Sequence, residues 1–111
     1  MAKEIPLLGE FEQMVLLAVL CVRQDDHEAY GITIHAELER RAERRVARGA
    51  VYMTLDRLEK KGLLTSTTGA PTAERGGRSR RCYGVTKPAL AALTASQRAL
   101  TRLWEGLPVR K

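Results

Sequence analysis

The segment that constrains this chain most is GEFEQMVLLAVLCV, residues Gly9 to Val22. Its apolar positions Phe11, Met14, Val15, Leu17, Ala18 and Cys21 recur at steps of three and four, and Leu16, Val19, Leu20 and Val22 fill the remaining faces. A helix apolar on nearly every side must be buried nearly all round, so it is expected at the centre with the rest of the chain packed about it. The chain has 111 residues, enough for one domain with one core and too few for a separate catalytic domain as well.

The polar run RQDDHEAYG, ending in Gly31, leads into a second, amphipathic helix carrying Ile32, Ile34 and Leu38, with the charged ELERRAERR on its wet side. In VARGAVYMTLDRLEKKGLL, Val51, Leu55 and Leu58 form one stripe of a third helix that Gly62 stops. Gly49, Met53, Asp56, Arg57 and Lys60 project the other way, with Tyr52 on the flank. Leu63 to Thr68 and Arg80 to Val85 read as two short strands around a turn-rich segment with Pro71, Gly76 and Gly77. Thr86 is a helix N-cap, Pro88 is tolerated in the first turn, and a last helix is expected to run to about Leu107, before Pro108. Along it Leu90, Leu93, Gln97, Leu100, Trp104 and Leu107 alternate steps of three and four, the a/d seam of a coiled coil, which is expected to face a second chain.

Charge is unevenly spread. The formal net charge is +6, yet Arg44 to Arg81 holds ten of the 19 Lys/Arg and only three of the 13 Asp/Glu, so the rest of the chain is slightly acidic. A basic segment on a balanced protein creates a directed positive field and points to a polyanion; a merely solvated basic surface is the plainer alternative. Cys21 and Cys82, far apart, spell neither a disulfide framework nor a zinc site, and His27 and His35 lack partners at ligand or triad spacing. They are expected to be a loop and a helix-surface histidine. No metal or cofactor is implied. No apolar run is long enough to cross a membrane and MAKEIPLLGEFEQ lacks signal-peptide features, so a cytoplasmic location is expected.

Three helices and then a β-ribbon is the order of a winged helix-turn-helix, in which the third helix enters the major groove of DNA and the ribbon touches flanking backbone or minor groove. The expected fold is thus mainly α with a small β-ribbon, comprising a winged-helix DNA-binding unit over 1–86 and a dimerisation helix and tail over 87–111. AERGGRSRRCYGVT then acquires a role: its arginines line the wing tip, where guanidinium groups make forked bonds to phosphate and Gly76 and Gly77 let the loop turn.

These same residues resemble the PadR family of bacterial transcriptional regulators, through LLGEFEQMVLLAVL, EAYGITIHAELE, VARGAVYMTLDRLEKKGLL and ERGGRSRRCYGVT, across Leu7 to Leu107. The Tyr30-Gly31 pair and the spacing of Gly49, Tyr52, Leu55, Leu58 and Gly62 are its most specific parts. The resemblance implies a dimeric winged-helix repressor of the short form, with the C-terminal helix of each subunit packed on the N-terminal helix of the other. It places the interface on Phe11, Leu90, Leu93, Leu100, Trp104 and Leu107. It also puts the reading helix on Arg48, Gly49, Ala50, Tyr52, Met53 and Arg57, and the wing contacts on Arg75, Arg78 and Arg80. Ala47 departs from the family, which has a capping hydroxyl residue there, and Ala89 stands in place of a glycine. Met53 offers no hydrogen bond and is limited to a thymine methyl or a sugar.

Individual residues keep a second reading. Tyr52 either donates to a phosphate or is a half-buried flank of the core. Arg44 and Arg45 reach phosphates beside the groove, or pair with Glu37, Glu39 or Glu43. Lys60 belongs to a solvated network with Asp56 and Glu59. Trp104 packs across the dimer, or offers a flat face to a small aromatic effector.

The function expected is a homodimeric, sequence-specific regulator of double-stranded DNA, a repressor released by a ligand or signal. An RNA- or single-strand-binding module is the alternative. It is disfavoured because Phe, Tyr and Trp total five and most fall in core-like phase, whereas base stacking needs exposed aromatics. A protein-binding adaptor predicts no salt-dependent DNA affinity. No nucleophile–base pair or carboxylate dyad suggests an enzyme.

Overall fold

The computed structural model describes residues 7–25, 27–68 and 81–108. The elements follow the expected order: α1 (Glu10–Gln24), α2 (Gly31–Ala42), α3 (Arg48–Lys60), β1 (Leu64–Thr68), β2 (Arg81–Val85) and α4 (Lys87–Trp104). Helices α1, α2 and α3 surround a core built from Val15, Leu16, Val19, Ile34, Leu38, Val51, Leu55 and Leu58.

α1 is central but not buried all round. Val15, Leu16, Ala18, Val19 and Val22 face the core, whereas Leu17 is 47% exposed and Met14, Leu20 and Cys21 are half-buried. Two further helices and a two-stranded ribbon cannot enclose a helix completely: Leu17 and Leu20 border a groove beside α4, and Met14, Leu17 and Cys21 a cleft beside α2. At its N-terminus Glu12 reaches back to accept from the Gly9 N–H at 3.0 Å, supplying the partner that an orphan helix-end donor needs.

α3 shows the predicted stripe, with Val51, Leu55 and Leu58 fully buried and Thr54 beside them. It ends in a Schellman turn: the Leu63 N–H donates to the Leu58 carbonyl at 2.9 Å and the Gly62 N–H to Glu59 at 3.0 Å. Gly62 has φ +78°, a left-handed backbone that a Cβ would oppose. Its N-cap, Ala47, makes no side-chain cap bond.

β1 and β2 pair antiparallel, with Leu64 opposite Val85, Ser66 opposite Tyr83 and Thr68 opposite Arg81. The chain before α2 adds a one-residue edge to this ribbon through the Tyr30–Cys82 bridge and a 2.9 Å bond from the Tyr83 N–H to the Ala29 carbonyl. On the α1 side, Arg23 donates to the Tyr83 carbonyl at 3.3 Å. The wing base is therefore anchored to both α1 and the α2 approach.

α4 starts as predicted: Thr86 Oγ1 accepts from the Ala89 N–H at 3.3 Å and itself donates to the Gly62 carbonyl at 2.9 Å. It stops at Trp104 rather than near Leu107, because Gly106 takes φ +76° two residues beyond the last turn. Leu107 lies past the helix end. Ala89, Ala92 and Leu93 root the first half of α4 in the core, and the second half is exposed.

Candidate nucleic-acid interface

α3 has two faces because its apolar residues recur at helical spacing and its basic residues fall between them. The outward face presents Arg48, Gly49, Ala50, Tyr52, Met53 and Arg57, all exposed, with Met53 at 66%. Arg48 and Arg45 have no acidic partner within ion-pair distance among the described residues. Lys60 is taken by Asp56 at 3.2 Å, the solvated pairing expected for it. Arg44 pairs with neither Glu37, Glu39 nor Glu43. It lies 3.8 Å from Glu10 of α1, because Glu37 is already engaged by Arg40 and Arg41 and Glu39 accepts from the Val46 N–H at 2.8 Å.

Tyr52 is half exposed, and its ring lies directly over Gly31, where a Cβ would collide with it. The Tyr30-Gly31 pair thus has a steric reason: only glycine lets the α2 start approach the α3 ring so closely. Between α2, α3 and β2 lies a cavity of about 310 Å³ lined by Tyr30, Gly31, Arg48, Tyr52, Arg81 and Tyr83. Burial pushes the Tyr83 hydroxyl pKa up, and the neighbouring Arg81 guanidinium only partly opposes this, so the phenol stays neutral.

The wing base is fixed to the C-terminal half of α3. Glu59 accepts from Ser66 Oγ at 2.6 Å and from Arg81 Nη1 at 3.5 Å, one carboxylate reaching both strands. Deeper in, Glu12 of α1 accepts from Lys61 Nζ at 2.7 Å. Burial raises the Glu12 pKa, but Lys61, the Gly9 N–H and Arg57 together outweigh it and hold the carboxyl below its ordinary value. Arg75, Arg78 and Arg80, the expected wing contacts, lie outside the described residues.

Arg81, Glu59 and Lys61 were not singled out as site residues in the sequence. Arg81 stood within the arginine run, but nothing local distinguishes the one that turns back onto α3. His35 was expected on the helix surface and is instead half-buried, its Nε2 2.7 Å from the Val46 carbonyl, where it braces the turn into α3.

The expected interface residues fall in two places. Leu90, Leu93, Leu100 and Trp104 line a groove of about 420 Å³ against Leu17 and Leu20 of α1. Leu93 is only 9% exposed and packs within its own subunit, whereas Trp104 is 58% exposed. Phe11 lies elsewhere, half-buried in a cleft with Arg44, Arg45 and Ala50 at the start of α3.

Residues 16–94 match the family model of PadR-like transcriptional regulators. The chain belongs to the PadR-like family. The transcriptional regulator Rv3488 of Mycobacterium tuberculosis is 37% identical over 96 residues, covering 86% of this chain and 85% of that protein. Among solved structures, a PadR-like transcription factor from Bacteroides fragilis superposes with a TM-score of 0.70 at 24% identity over 87% of this chain and 85% of its own. The RosR-S4 complex of H. salinarum RosR superposes at 0.65 and 22%, over 90% and 76%. At those identities the two structures establish the winged-helix architecture. PadR-like proteins are transcriptional regulators and not enzymes, so the exposed cationic helix is read as a binding surface. No helix among the described residues is long and apolar enough to cross a membrane.

Proposed function

We propose that this PadR-like regulator is a cytoplasmic homodimer that binds a pseudo-palindromic site in double-stranded DNA and represses transcription by occupying it. The observation that carries this reading is the outward face of α3. Arg48, Tyr52, Met53 and Arg57 stand exposed on a helix whose opposite face is locked into the core, the requirement for a rod inserted into a major groove. Arg48 and Arg57 reach phosphates or base edges, and Arg44 and Arg45 flank the helix start where neighbouring backbone runs. Arg75, Arg78 and Arg80 extend the contact along the wing.

Residues 87–111 act as the dimerisation arm of the DNA-binding unit over 1–86. Leu100, Leu103 and Trp104 of α4, with Leu107 just past its end, are exposed together, an apolar surface that water disfavours and a second subunit covers. The uncovered Leu17 strip of α1 is the matching surface, so each α4 lies on the partner's α1. Two reading helices then face half-sites about 34 Å apart or a small multiple of it. A ligand or signal that reseats α4, with Trp104 as a flat contact, shifts the spacing of the reading helices and releases DNA.

Selection of duplexes from a random pool by the purified protein, followed by footprinting, tests this reading. A two-fold site protected on both half-sites is expected. Recovery of no duplex at low ionic strength, or a preference for single-stranded RNA, overturns it.

A further inference from the structure

Two guanidinium groups that are far apart in sequence, Arg48 at the first turn of α3 and Arg81 at the first residue of β2, line the same cavity beneath the wing. The cavity is about 310 Å³, and its other walls are Tyr30, Gly31, Ile32, Tyr52 and Tyr83, with no carboxylate side chain among the described residues that line it. Arg81 is held from behind. Glu59 takes one of its nitrogens at 3.5 Å and the Tyr83 hydroxyl is a second hydrogen-bond partner; a guanidinium has five N–H donors, so part of the fork stays available. Glu59 is itself tied to Ser66 at 2.6 Å, which fixes the fork to the wing and the reading helix together. Arg48 has no acidic partner among the described residues. Tyr52, its ring braced on Gly31, brings a hydroxyl to the same cavity.

From this placement we infer that Arg48 and Arg81 form a shared seat for one phosphodiester of the DNA backbone, with the Tyr52 hydroxyl as a further donor beside them. Two cations lining one cleft suit a tetrahedral oxyanion, and guanidinium forks match its paired oxygens. The seat sits between reading helix and wing, so a phosphate held there sets how deeply α3 enters the groove; such contacts fix register without reading sequence. The inference rests on the proposed DNA-binding function and adds a residue, Arg81, and a geometry, two elements on one phosphate.

The test uses the full chain and a duplex selected by the wild-type protein, with affinity measured by fluorescence anisotropy. Arg81→Ala and Arg48→Ala each weaken binding, and the double variant lowers the slope of log K against log salt by about 0.9 in all, the loss of one neutralised phosphate, where two separate phosphates would lower it by about twice that. Arg81→Lys keeps the slope but not the full affinity. Replacing backbone phosphates one at a time with uncharged methylphosphonates then locates the contact without altering protein folding. One position per half-site should weaken the wild type most, weaken each single alanine variant less, and have no further effect on the double variant. If the duplex binds and the two variants map to different phosphates, or if Arg81→Ala leaves affinity and slope unchanged, the shared seat is wrong while the DNA-binding reading stands. If no duplex binds the wild type, both fall. Inorganic phosphate at constant ionic strength is expected to compete only weakly. Saturable millimolar binding of it that the duplex does not displace identifies a free-anion pocket and overturns the assignment.

Discussion

Replacing Glu12 with Gln tests how the reading helix is held to the rest of the fold. Glu12 is buried, and its two oxygens are divided between the Gly9 N–H at 3.0 Å and Lys61 Nζ at 2.7 Å, a residue 49 positions away. Glutamine keeps the shape and can still accept from Gly9, but removes the charge. A hydrogen bond to a charged group contributes about 1.5–3 kcal/mol. Lys61 is nearly half exposed and rehydrates when its partner goes, which lowers the expected cost to about 1–2 kcal/mol. For a domain of this size that is a fall of about 4–10 °C in Tm.

The pH dependence gives a second readout. The Glu12 carboxyl is held below its ordinary value of 4.5 when folded. Its contribution is therefore complete above the unfolded pKa and fades as pH falls through the lower, folded one. The stability gap between wild type and Glu12→Gln should be widest at neutral pH and close as pH falls below 4.5 and through the lowered, folded pKa. The assay is urea unfolding followed by circular dichroism, at one fixed protein concentration because any self-association shifts apparent stability. Equal midpoints at neutral pH, or a gap that stays constant on acidification, would refute the reasoning.

Three further outcomes follow from the same structure. Ala47→Ser supplies the cap that α3 lacks at a backbone already extended for it (φ −66°, ψ 136°), and should add about 0.5–2 kcal/mol in urea unfolding; no gain means that another group already satisfies the helix end. Gly62→Ala places a Cβ on a left-handed residue (φ +78°) and should cost about 1–2 kcal/mol, an unchanged urea midpoint being the contrary result. Arg57→Ala, on the exposed face, should leave stability within about 0.5 kcal/mol while weakening duplex binding and lowering its salt slope; intact affinity and slope remove Arg57 from the interface.

What the sequence made legible was whatever local spacing determines. The stripe of Val51, Leu55 and Leu58, the stop at Gly62 and the cap at Thr86 all depend on neighbours within a turn or two, and each is where the pattern puts it. The split of α3 into a core face and a free face was equally readable, which is why Arg48, Met53 and Arg57 emerge exposed. Contacts across the fold were not. That Lys61 finds Glu12, that Arg44 turns to Glu10 and that Glu59 reaches both Ser66 and Arg81 depend on the angles between helices and ribbon, to which charge spacing along the chain is blind. α1 misled for a related reason: a helix apolar on all sides announces burial, but the elements packed around it leave Leu17 47% exposed. α4 ended early because Gly106 takes a left-handed backbone before Pro108 is reached.

The central claim is that α3 and the wing present one cationic surface to B-form DNA. Its most direct test is a salt titration of the purified protein on a selected duplex beside single-stranded RNA of the same length. A saturable duplex complex is expected whose log K falls steeply and linearly with log salt, by about 0.9 per phosphate neutralised, with weaker binding to the RNA. A duplex affinity that is absent at low salt, or that salt leaves unchanged, would contradict it.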